Sequence, residues 1–86
     1  MRILKFYATW CVPCKALSKY LESSKDIITC PIEEVDIEKN METAIEYGVR
    51  SVPTMVLLDD YNNVVRKHTG VIVEDKVMLK FLNGDE

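Results

Sequence analysis

Two cysteines separated by two residues, Cys11 and Cys14, lie where a short apolar segment ends and an amphipathic segment begins. Residues 3–8 are apolar or aromatic apart from one lysine, which is typical of a buried strand. From Pro13 onward, apolar residues recur at spacings of three and four, which predicts a helix as far as the serines at 23 and 24. The cysteine pair is therefore predicted in the first turn of a helix that follows a buried strand.

The rest of the sequence predicts three further strands and two further helices. Residues 32–37 alternate apolar and acidic side chains like a second strand, and residues 40–47 predict a short helix that ends at Gly48. Residues 54–58 and 64–68 predict a hairpin with a polar turn over 59–63, and residues 74–82 predict a last amphipathic helix. The predicted order is β-α-β-α-β-β-α, an α/β fold whose four-stranded mixed sheet has helices on its faces.

Length and charge narrow the functions that such a chain can have. The chain has 86 residues, of which 48% are hydrophobic, so residues 1–86 are predicted to form one domain. A net charge of −3 offers no basic stripe for nucleic acid. No apolar run approaches the roughly 18 residues of a membrane span, and a lysine interrupts the segment where a signal peptide would be apolar. We therefore expect a cytoplasmic monomer with no nucleic-acid or membrane partner.

The position of the cysteine pair predicts reversible redox chemistry. Residues with this spacing at a helix start have Cα atoms roughly 5 Å apart, within the range of a disulfide. Unpaired N–H groups and the helix dipole stabilise the thiolate of Cys11, which is the predicted nucleophile. Cys14 lies one turn further in, is predicted to be more covered, and would resolve the mixed disulfide. Pro13 suits a helix start because its ring fixes φ and its missing N–H would have no partner there.

Two alternatives to redox chemistry are half of a zinc site and a pair of inert buried cysteines. A zinc site requires two more ligands, for which the chain offers Cys30 and its one histidine, His68. Neither belongs to a second closely spaced pair, so no metal and no other cofactor is expected. Cys30 is predicted to be a small core residue, and His68 a surface residue without a partner.

The segment Trp10-Cys11-Val12-Pro13-Cys14-Lys15 follows a predicted strand and opens a helix, and in this setting it resembles the active-site motif of the thioredoxin family. Residues 47–54 resemble the family segment that carries a cis-proline, here Pro53, and Gly70 matches the glycine after the last strand. The resemblance covers nearly the whole chain. Ten residues precede Cys11, so the N-terminal strand and helix of ordinary thioredoxins are predicted to be absent, and the size is similar to that of a glutaredoxin.

The resemblance also implies how a substrate binds. It implies a cis peptide bond before Pro53, a proline that faces the cysteines, and a Val52 backbone that pairs with an extended substrate. A mostly apolar rim for peptide segments around a disulfide would then comprise Trp10, Val12, Pro13, Val52, Pro53 and Gly70. The alternatives are an ordinary turn before an edge strand at Val52 and Pro53, and core packing of Trp10.

One position departs from the family pattern. Six residues before the first cysteine, thioredoxins commonly carry a buried aspartate, whereas this chain has Lys5. Alignment of the next strand puts Glu34 where a partner lysine is common. One hypothesis is a partly buried Lys5–Glu34 pair beneath the cysteines, in which Glu34 accepts the proton of Cys14. The alternative is that Lys5 extends past the strand to solvent and Glu34 is a solvated edge residue.

Three functions are compatible with these residues. The resemblance implies a dithiol electron carrier that reduces protein disulfides and is recharged by a thioredoxin reductase. The chain length and the acidic residues 74 and 75 suggest a glutaredoxin recharged by glutathione, but glutaredoxins usually carry proline directly after the first cysteine, where this chain has Val12. The third is a non-catalytic module that binds one partner through the same surface. The Trp-Cys-x-Pro-Cys pattern favours the first.

Overall fold

The computed structural model describes residues 1–84. Its elements are β1 (Arg2–Tyr7), α1 (Val12–Ser23), β2 (Ile32–Asp36), α2 (Met41–Glu46), β3 (Thr54–Leu58), β4 (Val64–Thr69) and α3 (Asp75–Leu82). The predicted order of strands and helices is confirmed. The boundaries differ from the predicted ones by one residue at most. Apolar periodicity identifies the buried part of each element, and only the exact terminal residues are not specified by it.

The four strands form one mixed sheet in the order β2-β1-β3-β4. β1 pairs with β2 in parallel and with β3 antiparallel, and β3 pairs antiparallel with β4 as the predicted hairpin. A parallel pair requires a crossover connection, which is supplied by α1. The crossover brings the end of β1 and the start of α1 together at one end of the sheet, where both cysteines lie.

Both faces of the sheet are buried at its central strands β1 and β3, which explains the nearly continuous apolar run of β1. Ile3 packs on one face with residues of α1 and α3, including Leu17 and Phe81. Leu4 and Phe6 pack on the opposite face, on the side of α2. Because side chains alternate along a strand, Lys5 lies on the same face as Ile3 and points towards α1.

The segment 47–53 between α2 and β3 is tied to β4 and to the residue that follows it. The Lys67 ammonium donates hydrogen bonds to the carbonyl oxygens of Tyr47 at 3.3 Å and Gly48 at 2.8 Å. At the other end of the segment, the Gly70 N–H donates to the carbonyl oxygen of Pro53 at 2.9 Å. These bonds fix the residues that precede β3 relative to the hairpin.

Candidate active site

Cys11 and Cys14 are joined by a disulfide, and their Cα atoms lie 5.3 Å apart, as their helical spacing predicts. Cys11 is the N-cap of α1, with an extended backbone at φ −85° and ψ 107°. Its Sγ accepts a hydrogen bond of 3.1 Å from the Cys14 N–H, so the sulfur occupies the place of an N-cap oxygen. The amide that can stabilise negative charge on Cys11 therefore belongs to Cys14.

The two cysteines are equally buried, at 3% exposure each. The prediction that Cys14 is the more covered is therefore wrong, and Val52 packs against the cluster that the two cysteines form with Ala8. Their surroundings distinguish them instead. The Sγ of Cys11 lies 3.7 Å from the carbonyl oxygen of Val52, whereas Cys14 lines a cavity of about 300 Å³ that Lys5 also lines.

Three predicted rim residues lie beside the disulfide on the helix side. Trp10 and Val12 are 66% and 73% exposed, which excludes the alternative that Trp10 packs in the core. Pro13 is exposed in the first turn of α1, where its missing N–H leaves no donor unpaired. The helix side of the site therefore presents apolar surface to solvent next to Cys11.

Val52, Pro53 and Gly70 contribute the opposite side. The Val52–Pro53 peptide bond is cis, as the resemblance implied, and Val52 is half-buried against the cysteines. Pro53 is buried, so it lies beneath the rim that it was predicted to form. Gly70 has a φ of +106°, a backbone conformation that favours glycine, and its amide holds the Pro53 carbonyl.

Lys5 is buried beneath this site, with its side chain 3% exposed. Its ammonium donates a hydrogen bond of 2.8 Å to Oε1 of Glu34, the residue opposite it in the β1–β2 register. The Glu34 side chain is 58% exposed. The hypothesis of a partly buried pair therefore matches the geometry. The alternative is wrong for Lys5, which does not extend to solvent, but it is right that Glu34 is an exposed residue on the edge strand β2.

Ser18 belongs to the same cluster and was not predicted. Its hydroxyl oxygen accepts a second hydrogen bond from the Lys5 ammonium. It lies four residues after Cys14 on α1, so the two side chains share one face of the helix. The available signal was a polar residue at helical spacing from a cysteine, opposite a strand that carries a lysine.

Cys30 and His68 lie away from the disulfide, and both are half-buried. Cys30 is half-buried against the cluster under α1 and α3, and burial raises the pKa of its thiol. His68 was predicted to lack a partner, but its ring is edge-on to Phe81, with centroids 6.3 Å apart. Burial, helped by Arg66, lowers the pKa of His68. Within residues 1–84, no three His, Cys, Asp or Glu side chains are grouped to hold a metal ion.

Comparison with known proteins places these features in a family. The sequence model described as Thioredoxin matches residues 1–83. This chain belongs to the thioredoxin family. Thioredoxin of Bacillus subtilis is 36% identical to it over 77 residues, which cover 87% of this chain and 65% of that protein. Thioredoxin of Rickettsia typhi is 36% identical over 84 residues, covering 94% of this chain and 77% of that protein.

Solved thioredoxin structures share its fold. A point mutant of thioredoxin from Halobacterium salinarum superposes with a TM-score of 0.83 and 32% identity, covering 99% of this chain and 74% of that one. Thioredoxin from Nicotiana alata gives a TM-score of 0.82 and 28% identity, covering 99% and 73%. The predicted thioredoxin fold is confirmed. The chain spans 65% and 64% of the first two curated thioredoxins that it matches, and none of the helices in residues 1–84 is long and apolar enough to cross a bilayer.

Proposed function

We propose that this chain reduces protein disulfides by thiol–disulfide exchange through Cys11 and Cys14. The observation that carries the proposal is the disulfide at the start of α1 in a chain of the thioredoxin family. Cys11 is the nucleophile, because the helix N-terminus and the Cys14 N–H stabilise negative charge on its sulfur. Cys14 is the resolving thiol.

The reaction proceeds in two exchange steps. The Cys11 thiolate attacks one sulfur of the substrate disulfide, which forms a mixed disulfide and releases the other substrate sulfur as a thiolate that takes a proton from water. Cys14 then loses its proton, and its thiolate attacks Sγ of Cys11. The Cys11–Cys14 bond forms, the bond to the substrate breaks, and two electrons have passed to the substrate.

The surface around the disulfide suits an extended peptide. Trp10 and Val12 are exposed apolar side chains beside Cys11, and Val52 offers its backbone from the opposite side. An extended segment that carries the substrate disulfide would pair with the Val52 backbone by strand addition. Pro53 and Gly70 hold that backbone in place, and the Lys5–Glu34 pair lines the same cavity as Cys14.

The electron source that we propose is a thioredoxin reductase. Support comes from the relatives above, all of which are named thioredoxins. A dithiol of this kind works where thiols are kept reduced, so the proposed place of action is the cytoplasm, with the chain acting as a monomer.

The test compares two reducing systems on the oxidised chain at neutral pH, with NADPH consumption as the measurement. We expect fast turnover with thioredoxin reductase and slow turnover with glutathione plus glutathione reductase. Turnover with glutathione alone would replace the proposal with a glutaredoxin. Failure of both systems, together with failure of the chemically reduced chain to open a model protein disulfide, would favour a non-catalytic binding module.

The roles of the two cysteines are tested by trapping. Cys14→Ser should accumulate a mixed disulfide with a model disulfide substrate, because the nucleophile remains and the resolving thiol is gone. Cys11→Ser should accumulate none, and Cys30→Ser is the matched control, which should turn over like the unmodified chain because burial keeps its thiol protonated. Mass spectrometry locates the adduct, and an adduct on Cys14 in the Cys11→Ser variant would reverse the assignment.

A further inference from the structure

A buried ammonium group lies on the same side of the sheet as the active-site helix. Lysine is almost never fully buried unless its charge is paired. The side chain of Lys5 is 3% exposed, and its ammonium is held from two sides, by the hydroxyl of Ser18 and by Oε1 of Glu34. Two elements, α1 and β2, therefore fix the position of this charge.

The same ammonium lies next to the surroundings of Cys14. Lys5 and Cys14 both line the cavity of about 300 Å³, together with Tyr7 and Ser18. The Lys5 Nζ is 5.8 Å from the centre of the Tyr7 ring, and Tyr7 packs against the cluster that contains Cys14. Ser18, which accepts a hydrogen bond from the ammonium, lies one turn of α1 after Cys14. Lys5 and Cys14 thus line the same open cavity beside the disulfide.

The balance of charge in this space is positive. The other titratable groups that line it are Tyr7, the exposed Lys15 and the carboxylate of Glu34. On the far side of Lys5, an adjoining cavity is lined by Glu22, Lys25 and Cys30. Water screens the exposed Glu34 carboxylate more strongly than the buried ammonium, so we expect the ammonium to act more strongly on Cys14 than the carboxylate does.

We propose that the Lys5 ammonium is a fixed positive charge that stabilises the thiolate of Cys14, with Ser18 and Glu34 holding it in position. This rests on the proposed function and deepens it. Lys5 is a positioning residue, since it touches neither substrate nor the bond that forms. In the resolving step the Cys14 proton leaves to water, and the ammonium stabilises the negative charge on Sγ until that sulfur bonds to Cys11.

The redox consequence follows from the same charge. A stabilised Cys14 thiolate favours the dithiol form over the disulfide, so the cysteine pair is a stronger oxidant with Lys5 than without it. Removal of the ammonium should make the disulfide harder to reduce, and removal of the opposing Glu34 carboxylate should make it easier to reduce.

Titration of Cys14 tests the proposal without substrate or reductase. In a Cys11→Ser/Cys30→Ser background Cys14 is the one remaining thiol, and the pH dependence of its ¹³Cβ chemical shift gives its pKa. Lys5→Met should raise this pKa by about 1, and Glu34→Gln should lower it. Lys19→Met removes an equal charge from the exposed surface of α1 and should leave the pKa unchanged.

Two further measurements use the cysteine pair itself. In equilibrium with dithiothreitol, above the pKa of Cys14, Lys5→Met should make the disulfide about tenfold harder to reduce, which corresponds to about 30 mV. In the reaction of the dithiol with a chromogenic aromatic disulfide, the second release of chromophore reports the resolving step. At a pH below the pKa of Cys14, Glu34→Gln should leave this step as fast or make it faster.

The results that would overturn the role of Lys5 differ from those that would overturn the proposed function. A Cys14 pKa that does not change in Lys5→Met overturns the fixed-charge role even if the chain still reduces disulfides. A slower resolving step in Glu34→Gln overturns it in favour of Glu34 as the proton acceptor. If Lys5→Met fails to fold, the Glu34→Gln titration decides, because a raised Cys14 pKa there contradicts a dominant ammonium.

Discussion

Two ion pairs join β1 to β2, and they differ in the burial of the cation. In Lys5–Glu34 the lysine side chain is 3% exposed, whereas in Arg2–Glu33 the arginine side chain is 39% exposed. The carboxylates are nearly alike, at 58% and 60%. The pairs therefore differ because a buried ammonium cannot return to water when its partner is lost, whereas an exposed guanidinium can.

The Arg2–Glu33 pair also has neighbours that share its role. Arg2 donates to Glu33 at 3.1 Å and to the side-chain oxygen of Asn62 at 2.9 Å. The N-terminal ammonium binds Asp60 at 2.7 Å in the same turn of the hairpin. Loss of one exposed contact leaves the others in place, so this region should tolerate substitution.

The largest expected difference in stability between the two pairs comes from reversing the charge of each cation. Lys5→Glu places a buried carboxylate opposite Glu34 and should cost about 3–5 kcal/mol in the free energy of unfolding. Arg2→Glu places a similar charge near Glu33 at the partly exposed surface and should cost about 1 kcal/mol or less. Urea unfolding measures both, and equal losses would show that the burial of Lys5 has no energetic consequence.

Within the buried pair, removal of the carboxylate and removal of the ammonium should differ less in their effect on stability. Glu34→Gln leaves the Lys5 ammonium buried beside a neutral amide and should cost about 1–2 kcal/mol. Lys5→Met removes the charge, retains most of the side-chain volume and leaves Glu34 in solvent, so stability should stay within about 1 kcal/mol of the original. A Lys5→Met variant less stable than Glu34→Gln would contradict this order.

The smallest effect is expected at the exposed pair. Arg2→Met should lower the free energy of unfolding by about 0.5 kcal/mol at low salt, and the loss should disappear in concentrated salt because exposed charges are screened. The Glu34→Gln loss should persist under the same conditions. Parallel urea titrations at two ionic strengths check both, and a salt-independent loss in Arg2→Met would assign its effect to packing.

The fold was predictable because the sequence signals are local. The strand before the cysteines, the helix after them and the hairpin each have their own periodicity or turn, and all of them appear in the structure. The family motif added what spacing cannot supply, namely the cis bond before Pro53 and the approach of Val52 to Cys11.

The errors and open alternatives concern residues whose surroundings come from distant parts of the chain. Val52, which packs against the cluster that contains both cysteines, lies 41 residues from Cys11. Whether the Lys5 side chain is buried or exposed depends on how closely α1 packs on β1, which brings Ser18 within hydrogen-bonding distance of the ammonium. Neither the burial of the cysteines nor that of Lys5 can be predicted from residue spacing within one element.

The hydrogen bonds from Lys67 and Gly70 to segment 47–53 determine which part of the fold would resist a force on that segment. A peptide that pairs with Val52, as we propose, would pull on a segment held at one end by the Lys67 ammonium and at the other by the Gly70 N–H. The pull is therefore transmitted into the β3–β4 hairpin. Helix α2 has six residues and no side-chain cap at its N-terminus, so the opening of its first turn would leave the bonds that hold the backbone around Val52 in place.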